Sequence, residues 1–219
     1  MLFEIKKKGL IMVRIESFKK YFKEYDEWFD KNQNIYLAEL YALKSLVPSN
    51  KFGIDIGVGT GRFALPLNIK LAIEPSGKMA EISKKLGIQV YKGVAENLPF
   101  KKKIFDFIIF VTTICFVDNL EKTFTEAYRV LKNNGFIIVG FIDKESKLGK
   151  KYQLKKIKSK FYKEANFFSV KEVIDILRKT KFKDMTIKQT VFTNKNDKFD
   201  NIDDGYGKGS FVIIKANKS

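Results

Sequence analysis

Three closely spaced glycines follow a short apolar run in the segment 53-GIDIGVGTGRF-63. Gly57, Gly59 and Gly61 alternate with other residues, and Asp55 stands two positions before the first of them. A glycine-rich turn directly after a strand lets the backbone approach a nucleotide without a Cβ clash. The pattern therefore predicts a nucleotide-cofactor site, and the remaining residues indicate which cofactor it holds.

The spacing does not fit a dinucleotide. Dinucleotide-binding loops have the pattern G-x-G-x-x-G/A, with an acid about 20 residues further on, whereas Arg62 occupies the third position here. Asp55 would also repel a pyrophosphate, by roughly 3 kcal/mol for two unit charges about 5 Å apart at an effective dielectric constant near 20. The same carboxylate suits S-adenosylmethionine, whose methionine end carries an ammonium and whose sulfur is cationic. Glu74 would hold ribose hydroxyls with either cofactor, and an ordinary tight turn is the remaining alternative.

Strand and helix patterns alternate around this turn. The predicted strands are residues 54–56, 70–74, 88–93, 105–111, 136–142, 184–192 and 210–216. The predicted helices are residues 15–31, 35–47, 62–67, 77–86, 120–132 and 169–180. The alternation predicts an α/β fold: a Rossmann-like, doubly wound seven-stranded sheet, mostly parallel with an antiparallel last strand. Ligands of such sheets bind beyond the carboxyl ends of the strands, where the glycine turn lies.

Five segments, in order and at normal spacing, resemble the class I S-adenosylmethionine-dependent methyltransferases. They are 55-DIGVGTG-61, 73-IEPSGKM-79, 93-GVAENLPF-100, 105-FDFIIFVTTICFVDN-119 and 128-YRVLKNNGFIIV-139. Together they cover about residues 50–142 and are similar to methyltransferase type 11 proteins, including the ubiquinone/menaquinone-pathway C-methyltransferases. The resemblance implies S-adenosylmethionine as cofactor.

The resemblance also implies which residues contact the cofactor. Asp55 and the three glycines would line the methionine moiety, together with Thr112 after the fourth strand. Glu74 would bind both ribose hydroxyls, and Met79 would lie against the adenine. The full implied set is Asp55, Gly57, Gly59, Gly61, Glu74, Pro75, Met79, Ala95, Glu96 and Thr112. Ala95 and Glu96 would meet the adenine edge, although Val94 stands where relatives usually have Asp.

The methyl acceptor is expected to bind among the parts of the chain outside this resemblance. The candidate pocket residues are Tyr21, Tyr25, Trp28, Thr113, Cys115 and Tyr162. Ordinary packing is the alternative for the aromatic residues. Cys115 is more typical of a structural thiol than of a nucleophile, because the Pro-Cys pattern of enzymes that methylate cytosine carbon 5 is missing.

The segment 144–163 carries nine Lys and one Glu. Leu154, Ile157 and Phe161 follow one another at i, i+3 and i+7, which predicts that part of the segment is an amphipathic helix. The candidates for the apolar underside of the segment are Tyr152, Phe161, Tyr162, Phe167 and Phe168. Two interpretations stay open for the segment: a solvated lid over the acceptor pocket, or an anion-binding patch.

The domain organisation follows from these segments. We expect one methyltransferase domain over residues 1–219. Its expected parts are an N-terminal helical cap (1–48), a cofactor-binding half (50–142), a lysine-rich insertion or lid (143–168), and a C-terminal helix and strand pair (169–219).

Composition excludes several kinds of chemistry. The chain has no His and one Cys, which removes His-based catalysis and predicts no metal site. The single Cys and the lack of a secretory leader pattern predict a cytoplasmic protein, and no apolar run reaches the roughly 18 residues of a membrane span.

The net charge of +17 raises the possibility of RNA as a partner. Only four of the 42 basic residues are Arg, the residue better suited to bidentate phosphate contacts. Methyl transfer to a small-molecule acceptor through N, O or S, without a metal, is therefore the first hypothesis. An RNA-modifying methyltransferase and a non-catalytic S-adenosylmethionine-binding protein are the alternatives.

Overall fold

The computed structural model describes residues 15–192 and 201–219. Residues 1–14 of the expected N-terminal cap lie outside the described residues. One mixed sheet carries the fold, with strands in the order β3-β2-β1-β4-β5-β8-β6-β7. The strands are β1 (Gly53–Ile56), β2 (Leu71–Ile73), β3 (Gln89–Tyr91), β4 (Phe105–Val111), β5 (Leu131–Ile142), β6 (Phe182–Thr190), β7 (Asp203–Asp204) and β8 (Phe211–Lys218).

The first five strands pair in parallel, and β8 runs antiparallel to both of its neighbours, β5 and β6. The predicted Rossmann-like sheet with an antiparallel last strand is therefore confirmed. Within the described residues the sheet has eight strands rather than seven, because Asp203–Asp204 pairs with Gln189 and Lys188 of β6. A strand of two acidic residues leaves no apolar pattern to read in the sequence.

Helices cover both faces of the sheet. They are α1 (Glu16–Lys20), α2 (Phe22–Lys31), α3 (Gln33–Lys44), α4 (Gly77–Lys85), α5 (Leu120–Val130), α6 (Lys147–Leu154) and α7 (Val170–Lys179), with short 3-10 turns at Ile114–Phe116 and Lys156–Lys158. Side chains along β4 alternate between two apolar cores: Ile108 and Phe110 face one, Phe107 and Ile109 the other. This two-sided burial explains why β4 is nearly continuous in apolar residues. Within the residues that the structure describes, no helix is long and apolar enough to cross a membrane.

Three helix predictions need correction. Residues 62–67 form a run of turns and not a helix, because Pro66 has no N–H to donate. Within this run, i to i−4 backbone hydrogen bonds are made by the N–H groups of Leu65 and Leu67, which donate to the carbonyls of Gly61 and Phe63. The predicted helix 15–31 is divided at Tyr21, which leaves helical geometry between α1 and α2. Helix α5 ends at Val130, and the strand pairing of β5 begins at once.

The amphipathic spacing predicted for the lysine-rich segment is wrong at Leu154 and Ile157, although Phe161 faces inward. Helix α6 ends at Leu154, so the helical spacing to Ile157 and Phe161 does not continue. Leu154 is 88% and Ile157 85% exposed. The segment turns Leu148, Tyr152, Phe161 and Tyr162 toward the pocket at the carboxyl ends of β1, β2 and β4, and the last three of these were among the expected underside residues.

Candidate active site

The glycine turn lies at the carboxyl end of β1. Gly57 has φ +80°, a left-handed conformation that favours glycine. A Cβ on Gly57 would lie 2.5 Å from Cγ2 of Thr113. Thr113 is the second residue after the carboxyl end of β4. The turn is tied to the neighbouring strand, because the Gly57 N–H donates to the Ile73 carbonyl at 2.8 Å. The site is thus built where β1, β2 and β4 end together.

Asp55 lies beneath this turn in β1 and is 2% exposed. Its Oδ1 atom is buried and has no hydrogen-bond partner among the described residues. Burial, with the nearby charge of Glu74, raises the pKa of Asp55 to about 8. A buried carboxylate oxygen without a donor is costly, and the ammonium and sulfonium charges of S-adenosylmethionine would offset that cost. The residues present therefore fit this cofactor.

Glu74 follows β2 and faces the same turn. Its Oε2 atom accepts from the Gly59 N–H at 2.9 Å, and its Oε1 atom accepts from the Ser76 N–H at 2.8 Å. Burial raises the pKa of Glu74 to about 7, although these two hydrogen bonds act in the opposite direction. Each carboxylate oxygen has a second lone pair, so the two oxygens remain able to accept from a diol.

Most of the predicted residues line one pocket. From the cofactor set the pocket lining includes Gly57, Gly59, Glu74, Pro75, Met79, Ala95, Glu96 and Thr112, and from the acceptor set Tyr25, Trp28, Thr113 and Tyr162. Asp55 lies behind the lining. The structure does not bring Gly61, Tyr21 or Cys115 to it.

These three residues lie in other surroundings. A Cβ on Gly61 would meet Ile88 and Ser83, behind the turn. Tyr21 packs against Phe161, with ring centroids 6.3 Å apart. The Cys115 thiol donates to the Thr112 carbonyl at 3.3 Å.

Tyr25, on α2, reaches over the glycine turn. Its ring and hydroxyl lie 3.6 Å from the point where a Cβ on Gly59 would stand. Burial and the charge of Glu74 raise the pKa of Tyr25, and the Thr112 side chain lowers it in part. Tyr25 therefore belongs to the wall between the cofactor turn and the rest of the pocket.

Arg62 holds α2 in this position. Its guanidinium donates two hydrogen bonds to the Asp26 carboxylate, through Nε and Nη2, and two to the Asp30 carboxylate. Its carbonyl accepts from the Tyr36 hydroxyl at 2.6 Å. From the sequence, Arg62 was informative only as a mismatch to the dinucleotide pattern. The acids at positions 26 and 30, one helical turn apart, were the available signal for its partners.

The far side of the pocket is aromatic. Phe18 packs on Phe116 with ring centroids 4.7 Å apart, and Tyr152 stacks on Tyr162 at 4.9 Å. Phe161 contacts both Phe18 and Tyr25. An ion pair of 2.6 Å between Lys160 and Glu24 joins the lysine-rich segment to α2 outside this cluster. The N-terminal helices and the lysine-rich segment therefore meet over the pocket.

Glu39 also lines the pocket, and sequence reasoning missed it. It lies on α3 and is 4% exposed. Burial raises its pKa to about 8. The signal in the sequence was a single acid within the apolar helix 35-IYLAELYALKSLV-47, a position where an acid has no obvious solvent-facing role.

The predicted adenine-edge segment is fixed by side chains from α5. Arg129 donates to the carbonyls of Phe100 and Leu98 at 2.8 and 3.0 Å. Glu126 accepts from the Leu98 N–H at 2.9 Å. Glu96 itself accepts from the Asp118 N–H at 2.7 Å. The segment that carries Ala95 and Glu96 is therefore anchored on both sides.

Comparison with known proteins finds relatives over most of the chain. Residues 54–139 match the family model of a methyltransferase domain. An uncharacterised protein of Methanocaldococcus jannaschii is 50% identical over 203 residues, covering 92% of this chain and 98% of the relative.

Solved structures give the same family. A crystal structure from Thermotoga maritima, named as an S-adenosylmethionine-dependent methyltransferase and possible histamine N-methyltransferase, is 48% identical with a TM-score of 0.90, covering 94% of this chain and 100% of that one. An S-adenosylmethionine-dependent methyltransferase of Archaeoglobus fulgidus shares the fold at 16% identity, with a TM-score of 0.70 and coverage of 90% and 100%. This chain belongs to the S-adenosylmethionine-dependent methyltransferases and uses S-adenosylmethionine as its cofactor.

Proposed function

We propose that this methyltransferase modifies a small-molecule acceptor at N, O or S, and that catalysis comes mainly from positioning. The observation that carries the proposal is the aromatic pocket between the cofactor turn and the lysine-rich segment. Phe18, Phe161 and Tyr162 close this pocket from outside the cofactor half. Such a concave, mostly apolar site suits a small organic acceptor.

The residue roles in this proposal follow the positions described above. Asp55, Gly57, Gly59 and Thr112 hold the methionine end, and Glu74 holds the ribose hydroxyls. Pro75 and Met79 lie under the adenine, whose edge meets Ala95 and Glu96. Gly61 supports the turn from behind. The single-domain organisation and the cytoplasmic location stay predictions beside these roles.

The cofactor supplies an activated methyl group on a sulfonium sulfur for in-line transfer to the acceptor atom. The chain's task is to hold the acceptor in line and to keep water out, and orientation of this kind contributes up to about 7–11 kcal/mol. Tyr25 and Phe161 separate the turn from solvent on the α2 side, with ring centroids 5.9 Å apart.

RNA is the second candidate acceptor, favoured by the net charge of +17. The charged residues that line the pocket are all acids, namely Glu39, Glu74 and Glu96, and no Lys or Arg contributes to the lining among the described residues. The lining therefore offers no positive side chain to a phosphate backbone. The name of the Thermotoga maritima protein, which includes a possible histamine N-methyltransferase, also favours a small molecule.

A methyl-transfer screen tests the proposal. Purified protein is offered small amines, phenols, thiols and bulk RNA, and S-adenosylhomocysteine release is measured at about 0.15 M salt. We expect release with one small-molecule class and none above background with RNA. Release with RNA alone, together with salt-sensitive RNA retention, would contradict the proposal. Asp55→Ala is the control variant that should lose activity with every acceptor.

A further inference from the structure

Glu39 is the charged group of the pocket that the cofactor residues do not explain. It lies on α3, outside the five segments that carry the family resemblance. Its side chain reaches the pocket while only 4% of the residue is exposed. Within residues 15–192 and 201–219 it forms no hydrogen bond and no ion pair. A buried carboxyl group without a partner destabilises the fold, so a bound ligand is the natural source of its partner.

The surroundings of Glu39 define what that partner is. Tyr25 on α2, Tyr152 on α6 and Tyr162 after the second 3-10 turn lie close enough for its charge to raise their pKa values. No basic side chain lines the pocket among the described residues. Acidic and aromatic groups together favour a cation with an apolar body, because ring faces attract cations and the carboxylate pairs with them.

We propose that Glu39 is the acceptor-binding carboxylate and that it selects an alkylamine with an aromatic or apolar body. This inference rests on the proposed function and narrows its acceptor class to amines. The aromatic cluster of Phe18, Phe116 and Phe161 receives the body of the acceptor. The nitrogen lies between Glu39 and the cofactor turn.

A proton step follows from this placement. An alkylammonium has no free lone pair, so it must lose a proton before its nitrogen can act as a nucleophile. One N–H bond of the ammonium breaks, its electron pair stays on nitrogen, and the proton forms an O–H bond on the Glu39 carboxylate. Burial raises the pKa of Glu39 to about 8, which brings it closer to that of an alkylammonium, about 10.4 for a lysine side chain. A carboxylate with such a pKa is a better proton acceptor than an ordinary one.

Binding experiments on the product complex test the inference without turnover. The protein is saturated with S-adenosylhomocysteine, and calorimetry measures its affinity for 2-phenylethylamine, benzylamine and histamine. The neutral matches are 2-phenylethanol and benzyl alcohol. The variants are Glu39→Gln, which keeps the side-chain shape, and Glu27→Gln, the same change at an exposed residue that pairs with Lys31.

We expect Glu39→Gln to weaken the bound amines at least tenfold, with the alcohols and S-adenosylhomocysteine unchanged. Glu27→Gln should match the wild type. Equal amine affinity in Glu39→Gln and wild type would overturn the inference, as would the absence of binding of all three amines by the wild type. A tenfold loss of S-adenosylhomocysteine affinity in Glu39→Gln would also overturn it, because Glu39 would then hold the cofactor. Release of S-adenosylhomocysteine with RNA alone in the methyl-transfer screen would contradict the proposed function instead.

Proton release gives a second readout. Because Glu39 is mostly protonated at pH 7, binding of an ammonium should release up to about one proton. Calorimetry in two buffers of different ionisation enthalpy measures this release. We expect it in the wild type and in Glu27→Gln, and a clear reduction in Glu39→Gln. The same release in all three proteins would assign the proton to another group and contradict the role of Glu39.

Discussion

Arg62 Nε and Nη2 bind the two carboxylate oxygens of Asp26, each at 2.8 Å. This paired contact joins the segment after the glycine turn to α2, the helix that carries Tyr25 and Trp28. The Arg62 guanidinium therefore helps to fix the position of the pocket wall. Lysine cannot replace it, because an ammonium presents a point charge rather than a planar pair of donors.

Arg62→Lys is expected to loosen α2. Both partners are partly exposed, at 26% and 31% for the side chains, so solvent screening limits the loss in free energy of unfolding to about 1 kcal/mol. Chemical denaturation measures the loss, and calorimetry should show weaker S-adenosylmethionine binding. Glu27→Gln, which removes an exposed pair, should change stability by less than about 0.5 kcal/mol. Equal stability of Arg62→Lys and wild type would show that α2 is held by other contacts.

Asp55→Asn and Glu74→Ala should each weaken S-adenosylmethionine binding at least tenfold, a loss of about 1.4 kcal/mol or more. Asp55 would lose the carboxylate buried beneath the glycine turn, and Glu74 would lose the acceptor for the ribose and the bond to the Gly59 N–H. Calorimetry with the purified variants measures the affinity. Asp204→Asn, at a side chain that is 86% exposed, is the matched control. Wild-type affinity in both variants would contradict the residue roles.

Gly57→Ala should destabilise the protein by about 1–2 kcal/mol through its left-handed backbone alone. The clash with Thr113 Cγ2, 2.5 Å from the added methyl group, adds to this. In the double variant Gly57→Ala/Thr113→Ala, the loss of stability caused by the steric clash should disappear. The loss caused by the left-handed backbone should remain. Thermal or chemical unfolding of the two variants and of Thr113→Ala separates the two contributions. A double variant no more stable than Gly57→Ala would show that the turn does not depend on Thr113.

The stability of the ligand-free protein should fall as pH rises from about 5 to 8. Asp55 and Glu39 have folded-state pKa values of about 8, raised from ordinary values of 3.8 and 4.5. Between these limits the native state keeps protons that the unfolded chain has lost, so the free energy of unfolding decreases with pH. Denaturation at pH 5 and pH 8 should differ by about 1 kcal/mol or more, and Asp55→Asn with Glu39→Gln should reduce the difference. The lowered pKa values of Asp26, Asp106 and Glu172 change the free energy of unfolding only at pH values below this range. Constant stability across it would contradict the prediction.

The cofactor half was predictable because its signals are local. Asp55 and the glycines stand within seven consecutive positions, and strand patterns on either side place them at one edge of the sheet. The helix predicted at 62–67 failed because Pro66 outweighed the apolar spacing. The helical face predicted from Leu154 and Ile157 failed because α6 ends at Leu154, before the spacing could apply.

The sequence by itself determined the sheet apart from β7, the cofactor and the glycine turn, because these depend on short-range patterns of backbone geometry and burial. The tertiary structure decided the acceptor side. Arg62 and Asp26 are 36 positions apart, and Glu39 reaches the pocket only because α3 packs with that side inward. Contacts at such separations depend on how whole helices pack. Residues that meet in this way have no fixed separation along the chain, so no sequence pattern predicts the contact. The site of the methyl donor can therefore be read from a short stretch of sequence. The acceptor pocket depends on the packing of α1, α2, α3 and the lysine-rich segment.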